Sequence, residues 1–419
     1  MARVFADLTP LRVSPPFRRL WTGLSVANAG QQMTAVAVGL QVYDLTNSSF
    51  MVGLVGLAQL IPLVGFGLYG GTLSDAFDRR IVGVVTALGL WVTSLLFLAQ
   101  SLLGINSVGL LYVIVALGSA FFAVGTPARQ AIVPRIVPAE LLPAANALSS
   151  MTWNIGFAMG PLIGGALIAA TGTVSAAYAA DVVAFTVLVW AMWRLPCLPP
   201  TPTASGERPK AGWVAVKQGL AFLRGKRNLQ MTFYQDLVAM VFGMPRALFP
   251  AIAALWYGGT QEQIALTLGL LSAAPAIGAV ALSVFSGWVG HVRYQGRAIV
   301  IAILVWGVAI TGFGLVRFLP LALLFLAIAG AADNVSAILR TTILQTATPD
   351  EFRGRLQGIN IVVIAGGPRL GDVEAGAVAA LGGEAFSVVT GGLACIGLSL
   401  GLVAKGRQFL HYDARHPVA

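Results

Sequence analysis

The chain is a succession of long apolar runs, each about twenty residues or more, separated by short polar breaks. As an α-helix, a run of ~20 residues spans the ~30 Å hydrocarbon core of a bilayer. Lipid satisfies no backbone N–H or C=O group, so only helices and closed barrels cross it. A membrane barrel needs stretches of roughly ten residues that alternate in polarity, and these runs are unbroken. Charged residues make up 10% of the 419 positions and hydrophobic ones 57%. An ordinary soluble domain carries about 25% charged residues. The sequence therefore predicts an all-α membrane protein embedded in the lipid bilayer.

Apolar runs and breakers place twelve spans, six before a hydrophilic stretch and six after it. The first six fall near residues 17–43, 49–74, 81–103, 107–129, 140–171 and 174–194; the second six fall near 229–257, 261–290, 297–316, 319–346, 354–380 and 385–405. The first run follows Arg18 and Arg19 and is too long for a signal-peptide core, so it is read as helix 1. With a cytoplasmic N-terminus, all of the 26 Lys and Arg except Arg246, Arg317 and Arg369 fall on the inward side, Arg129 and Arg340 among them. That asymmetry predicts a bacterial inner (plasma) membrane protein with both termini cytoplasmic. It also accounts for the net charge of +10. No basic stripe is interleaved with aromatics, so nucleic acid is not an expected partner.

Other chemistries lack their residues. Cys197 and Cys395 have no spacing for a metal or redox pair and read as packing residues. The Gly225-Lys226 pair is followed by Arg227, which breaks a phosphate loop, and neither H-E-x-x-H nor G-x-S-x-G occurs. The expectation is a protein that is not an enzyme and holds no cofactor and no metal.

The chain repeats itself. A shift of 211 positions aligns Arg129 with Arg340, Ile132 with Ile343, Pro138 with Pro349, Glu140 with Glu351 and Asn146 with Gln357. Both copies fall between the fourth and fifth span of a six-span set, which implies two parallel structural repeats. Membrane proteins of this design bind a small molecule near the midplane between repeats and rock the halves to alternate access. The expected domains are an N-terminal six-helix bundle over 1–195, a cytoplasmic linker over 196–228, a C-terminal six-helix bundle over 229–406 and a tail over 407–419. Within the linker, Trp213–Arg224 reads as a basic amphipathic helix.

Between spans 2 and 3 stands Gly70-Gly71-Thr72-Leu73-Ser74-Asp75-Ala76-Phe77-Asp78-Arg79-Arg80, which resembles the G-x-L-x-D-x-x-x-R-[KR] signature of the major facilitator superfamily. The resemblance implies a gating lock of Asp75 with Arg79 or Arg80; Ala76 departs from the arginine many members carry. In span 5, Gly156-Phe157-Ala158-Met159-Gly160-Pro161-Leu162-Ile163-Gly164-Gly165 resembles the glycine-proline motif of that superfamily's proton-coupled antiporters, which makes Gly160 and Pro161 gating candidates and favours export. Arg246-Ala247-Leu248-Phe249-Pro250-Ala251, Leu344-Gln345-Thr346-Ala347-Thr348-Pro349, Gly354-Arg355 and Gly371-Asp372 are similar to the enterobactin-exporter branch. The similarity covers essentially the whole chain. It implies a monomeric secondary transporter that exports a small siderophore-like or drug-like molecule against protons. A lipid flippase or a non-transporting membrane sensor on the same fold stands as the alternative.

An ionisable group inside a span costs about 2.5–3.5 kcal/mol on insertion scales, so each one needs a partner or a wet cavity. The intramembrane charges are Asp181, Asp236, Arg246, Asp333, Arg369, Asp372 and Glu374. Arg246 and Asp372 each lie about 27 Å of helical rise beyond the starts of their spans, at ~1.5 Å per residue. They are expected to pair, with Arg369 in reach, and with Asp236 and Asp333 as further proton-coupling candidates. Asp181, near the outer end of span 6, also fits a structural staple. On span 1, Asn28, Gln31 and Gln32 recur at spacings of three and four, which suits a substrate cavity.

Overall fold

The computed structural model describes residues 7–199, 221–284, 289 and 292–415, with their side chains except at 68–72, 74–76, 284, 350–355, 357–358 and 361–362. Twelve long helices follow in order among these residues. They are α1 (Pro15–Thr46), α2 (Ser49–Ala76), α3 (Arg79–Leu102), α4 (Val108–Ile136), α5 (Leu142–Thr171), α6 (Ser175–Trp193) and α7 (Arg227–Phe242, continuing to Tyr257 in short turns). Then come α8 (Gln261–Val284), α9 (Gln295–Leu315), α10 (Leu319–Thr346), α11 (Asp350–Gly382) and α12 (Glu384–Lys405). Ten of these, counting α7 with its continuation, are long and apolar enough to cross a membrane. The other two, α1 with 32 residues and α11 with 33, occupy the first and eleventh expected places and hold Asn28, Gln31, Gln32, Arg369 and Asp372. Large apolar side chains such as Leu381 at 88% and Leu103 at 74% exposure face outward. Lipid is the solvent that makes such a surface stable.

The helices start and stop where the chain chemistry says. Ser107 caps α4 by accepting from the Leu110 amide, Asp78 caps α3 by accepting from the Arg80 amide, and Gly172 ends α5 in the left-handed region at φ 68°. Helix α4 runs seven residues beyond the expected boundary of 129 and takes Arg129 and Arg135 into its last turns. Arg340 likewise stands inside α10 at 9% exposure. These three are helix residues, not loop cations, because buried apolar residues continue past them or between them, Ile132 and Val133 on α4 and Ile343 and Leu344 on α10. Cys395 is buried as expected, whereas Cys197 is exposed in the segment after α6. Most of Trp213–Arg224 lies outside the described residues.

The chain forms two compact units. One comprises Met1–Leu45, Ile61–Ala211 and Thr260–Gly269; the other comprises Thr46–Leu60, Gly212–Gly259 and Leu270–Ala419. In the first unit, Asp181 on α6 is 2% exposed and accepts from Thr34 Oγ1 on α1 at 2.8 Å and Ser94 Oγ on α3 at 2.7 Å. One carboxylate thus staples three helices. Gly156, Gly160 and Gly164 on α5 meet α1 at Asn28, Gln32 and Met33, while Pro161 and Gly165 on the next face meet α8 at Gly269 and Ala265. Small residues every fourth position permit this approach.

Candidate transport site

In the second unit, α7 stops at Phe242 because Gly243 and Pro245 interrupt it, and Pro245 brings no N–H to continue the ladder. The freed Gly243 carbonyl accepts from Trp306 Nε1 on α9 at 3.1 Å. Beyond the break, Arg246–Leu248 forms a 3₁₀ turn and Ala253–Tyr257 a π turn. Broken and π-bulged helices in membrane proteins lie where they line cavities or functional sites. The break points Arg246 at α11, where its Nη2 donates to Asp372 Oδ2 at 3.2 Å. Asp372 is 14% exposed and Arg246 42%. The neighbouring Gly371 lies against the Met240 carbonyl, so the two helices touch at this level.

The start of α2 closes over the same pair. A Cβ at Gly53 would land on the Asp372 carbonyl, and one at Gly56 would lie 2.8 Å from the Arg369 carbonyl and 3.1 Å from Asp372 Cβ. Arg369 Nε donates to Gln59 Oε1 on α2 at 3.0 Å, and its Nη1 donates to the Ala365 carbonyl. Arg369 is therefore held by α2 and its own helix. Ser49 Oγ donates to Glu384 Oε1 at 2.9 Å, which fixes the first turn of α2 to α12.

Asp236 and Asp333 form a separate cluster around Arg340. Arg340 Nη2 stands 2.8 Å from Asp236 Oδ1 and 3.6 Å from Asp333 Oδ1, and its Nη1 donates to Ser336 Oγ at 2.7 Å. One guanidinium faces two carboxylates, so the cluster balances its charge only when it also holds one proton. Counting Arg340 among loop cations concealed it. The signal was in the spacing: seven residues after Asp333 brings the side chain back to the same helix face after two turns.

In the first unit, Asn28 and Gln31 line a cavity of about 120 Å³ together with Trp21, Phe122, Arg129 and Trp153. Gln32 instead lies with its Cβ against Gly160. At the α2–α3 turn, Arg80 Nη2 donates to the Trp193 carbonyl at 2.6 Å, and the Arg79 amide donates to the Leu198 carbonyl at 3.2 Å. Asp78 accepts from the Leu198 amide at 3.1 Å. The loop cations thus tie α3 to the end of α6. Asp75 is helical, and its side chain is outside the described set.

A profile of transmembrane secretion effectors of the major facilitator superfamily matches residues 5–413. The chain belongs to this family. Enterobactin exporter EntS of Citrobacter koseri is 29% identical over 422 residues, covering 95% of this chain and 94% of its own. The Shigella boydii serotype 18 enterobactin exporter EntS is 30% identical over 368 residues, covering 84% and 82%. Among solved structures, nucleoside transporter NupG superposes with a TM-score of 0.69 at 13% identity, over 95% of this chain and 100% of that one. A D-xylose-proton symporter gives 0.70 at 13%, over 92% and 96%. These likenesses show the fold. As a member of the transmembrane secretion effector family, the chain is a multi-pass secondary transporter of a small molecule and not an enzyme.

Proposed function

We propose that this transporter exports a small siderophore-like or drug-like molecule from the cytoplasm across the bacterial inner membrane, by proton antiport with alternating access. Its two six-helix bundles, 1–195 and 229–406, act as the rocking bodies, and both termini are cytoplasmic. The observation that carries the reading is the Arg246–Asp372 pair at 3.2 Å, set on a broken helix and covered by α2. Antiport needs an acid that is protonated in one access state and ionised in the other. A pair whose partners sit on different helices, under a third that can leave, supports that alternation. Asp236 and Asp333 around Arg340 supply a second place for one proton. Asp75, Arg79, Arg80, Gly160 and Pro161 serve as gate elements, and Asn28, Gln31 and Gln32 belong to the path of the cargo. Similarity to enterobactin exporters supports the direction and the siderophore-like class.

The test has two arms. Spent medium and cell extracts of a deletion strain and its parent are compared for small molecules, with accumulation of one compound inside the deletion strain expected. That compound is then offered to inside-out vesicles with an imposed pH gradient. Gradient-dependent uptake into the vesicles supports the reading. Unchanged metabolite profiles without any proton-dependent flux refute it and leave a flippase or a sensor.

A further inference from the structure

Arg129 and Arg340 are partners under the 211-residue repeat, yet their surroundings differ. Arg340 meets Asp333, seven residues earlier on its own helix, Ser336, four residues earlier, and Asp236 on α7. The same shift puts Phe122, Gly125 and Ser25 at the corresponding places of the first half. Both acids are gone. Arg129 Cζ instead stands 5.6 Å over the Phe122 ring, and Nη2 donates to Thr126 Oγ1 at 3.1 Å. Nη1 is buried with no hydrogen-bond partner. Gly125 makes room for it, since a Cβ there would lie 2.5 Å from Nη1.

A guanidinium stays charged in any protein environment, so this is a permanent cation in a membrane bundle with one donor unsatisfied. Such a group is costly unless something completes it. Arg129 lines the cavity of about 120 Å³, and among the described residues no acid lines it. Its lining includes three aromatic side chains, Trp21, Phe122 and Trp153, with Phe122 under the guanidinium and edge to face with Trp153 at 6.1 Å. An apolar cavity of ~150 Å³ accepts a benzene ring, so about 120 Å³ is on the scale of one flat ring. Asn28 and Gln31 of α1 add polar groups to the lining.

We infer that Arg129 and this cavity form a subsite for one aromatic ring bearing an anionic oxygen group, which takes the place that Asp333 and Asp236 hold in the other half. The inference rests on the exporter reading and names the chemical class of its cargo: an aromatic acid or a larger molecule presenting such a ring. The same arginine that is locked in one half by protein acids is left in the other to be neutralised by what is carried.

Purified full-length protein in detergent, with no gradient, is titrated calorimetrically with benzoate, benzyl alcohol and benzylamine, which share one ring and differ in charge. Benzoate is expected to bind at least tenfold more tightly than the other two. Arg129→Gln should erase that preference. Phe122→Asp should erase it as well, by installing the acid that Arg340 already has, with the arginine retained and the fold checked by monodispersity. Wild-type protein without an anion preference overturns the subsite, as does a folded Phe122→Asp protein that keeps it. Vesicle flux separates the two readings. A lost preference in both variants with no proton-driven flux in wild type removes the exporter and keeps the subsite; proton-driven flux with the preference surviving both variants does the reverse.

Discussion

Trp306 Nε1 donates to the Gly243 carbonyl at 3.1 Å, and this single bond closes the gap in α7 that turns Arg246 toward Asp372. Both groups are buried, and in lipid an orphaned carbonyl has no water to fall back on. Trp306→Phe removes the donor and also shrinks the buried indole to a single ring, which adds a packing loss to that of the bond. For the bond we expect a loss of about 1–3 kcal/mol, the cost of a buried unpaired acceptor, read as a lower unfolding temperature in detergent. Gly243→Ala should cost more, because its Cβ would strike the indole. Wild-type melting for both variants would show that the break is held by other contacts.

Asp372→Asn keeps the size of the side chain and its place beside Arg246 while removing the titratable proton. Uphill export should vanish, with the accumulation ratio in energised vesicles falling to equilibrium, and binding measured without a gradient should persist. If the variant still concentrates cargo, the coupling proton belongs elsewhere, with the Asp236–Asp333 cluster next in line.

Arg340 is the shared cation of two carboxylates, buried Asp236 and partly exposed Asp333, so its removal leaves both without it. Breaking a buried ion pair by deleting one partner costs about 3–5 kcal/mol. Arg340→Met should lower the folded yield and melting temperature steeply. Adding Asp236→Asn and Asp333→Asn to the same chain should restore much of the loss, since the cluster is then neutral. A triple variant as unstable as the single one would mean that Arg340 acts through packing and not charge.

Gly53 and Gly56 let α2 lie on α11 at the level of Asp372. A leucine at Gly53 has no room there, and α2 must lift away. Spin labels placed at the exposed Leu57 and Leu381 are expected to give a longer and broader distance distribution in Gly53→Leu than in the parent, with a fall in transport. Superimposable distributions would place the α2–α11 contact outside the transport cycle.

Much of this was legible from particular residues. The equal depths of Arg246 and Asp372 along their spans are a count of helical rise, and the 3.2 Å contact agrees with that count. Asp181 read equally as machinery or staple, and only its two hydroxyl donors, Thr34 and Ser94, settle what it touches. Asn28 and Gln32 share a helix face and both lie against glycines of α5, Gly156 and Gly160, and of the two only Asn28 lines the cavity of about 120 Å³. Arg340 reads as an inward-side cation in the sequence, since a cation near a span end looks the same there whether it points to water or to two acids.

The solvent, the helices and the family are written along the chain: hydrophobic length answers to the bilayer, the twelve runs to the backbone's need for internal hydrogen bonds, and the motifs to a shared ancestry. Only the tertiary structure decided which charges are neutralised and by whom. Charge pairing depends on atoms a few ångström apart on helices far apart in the chain, as with Asp236 and Arg340, and no local pattern encodes that distance. The repeat makes Arg129 and Arg340 look alike; the packing gives one two acids and leaves the other facing a cavity.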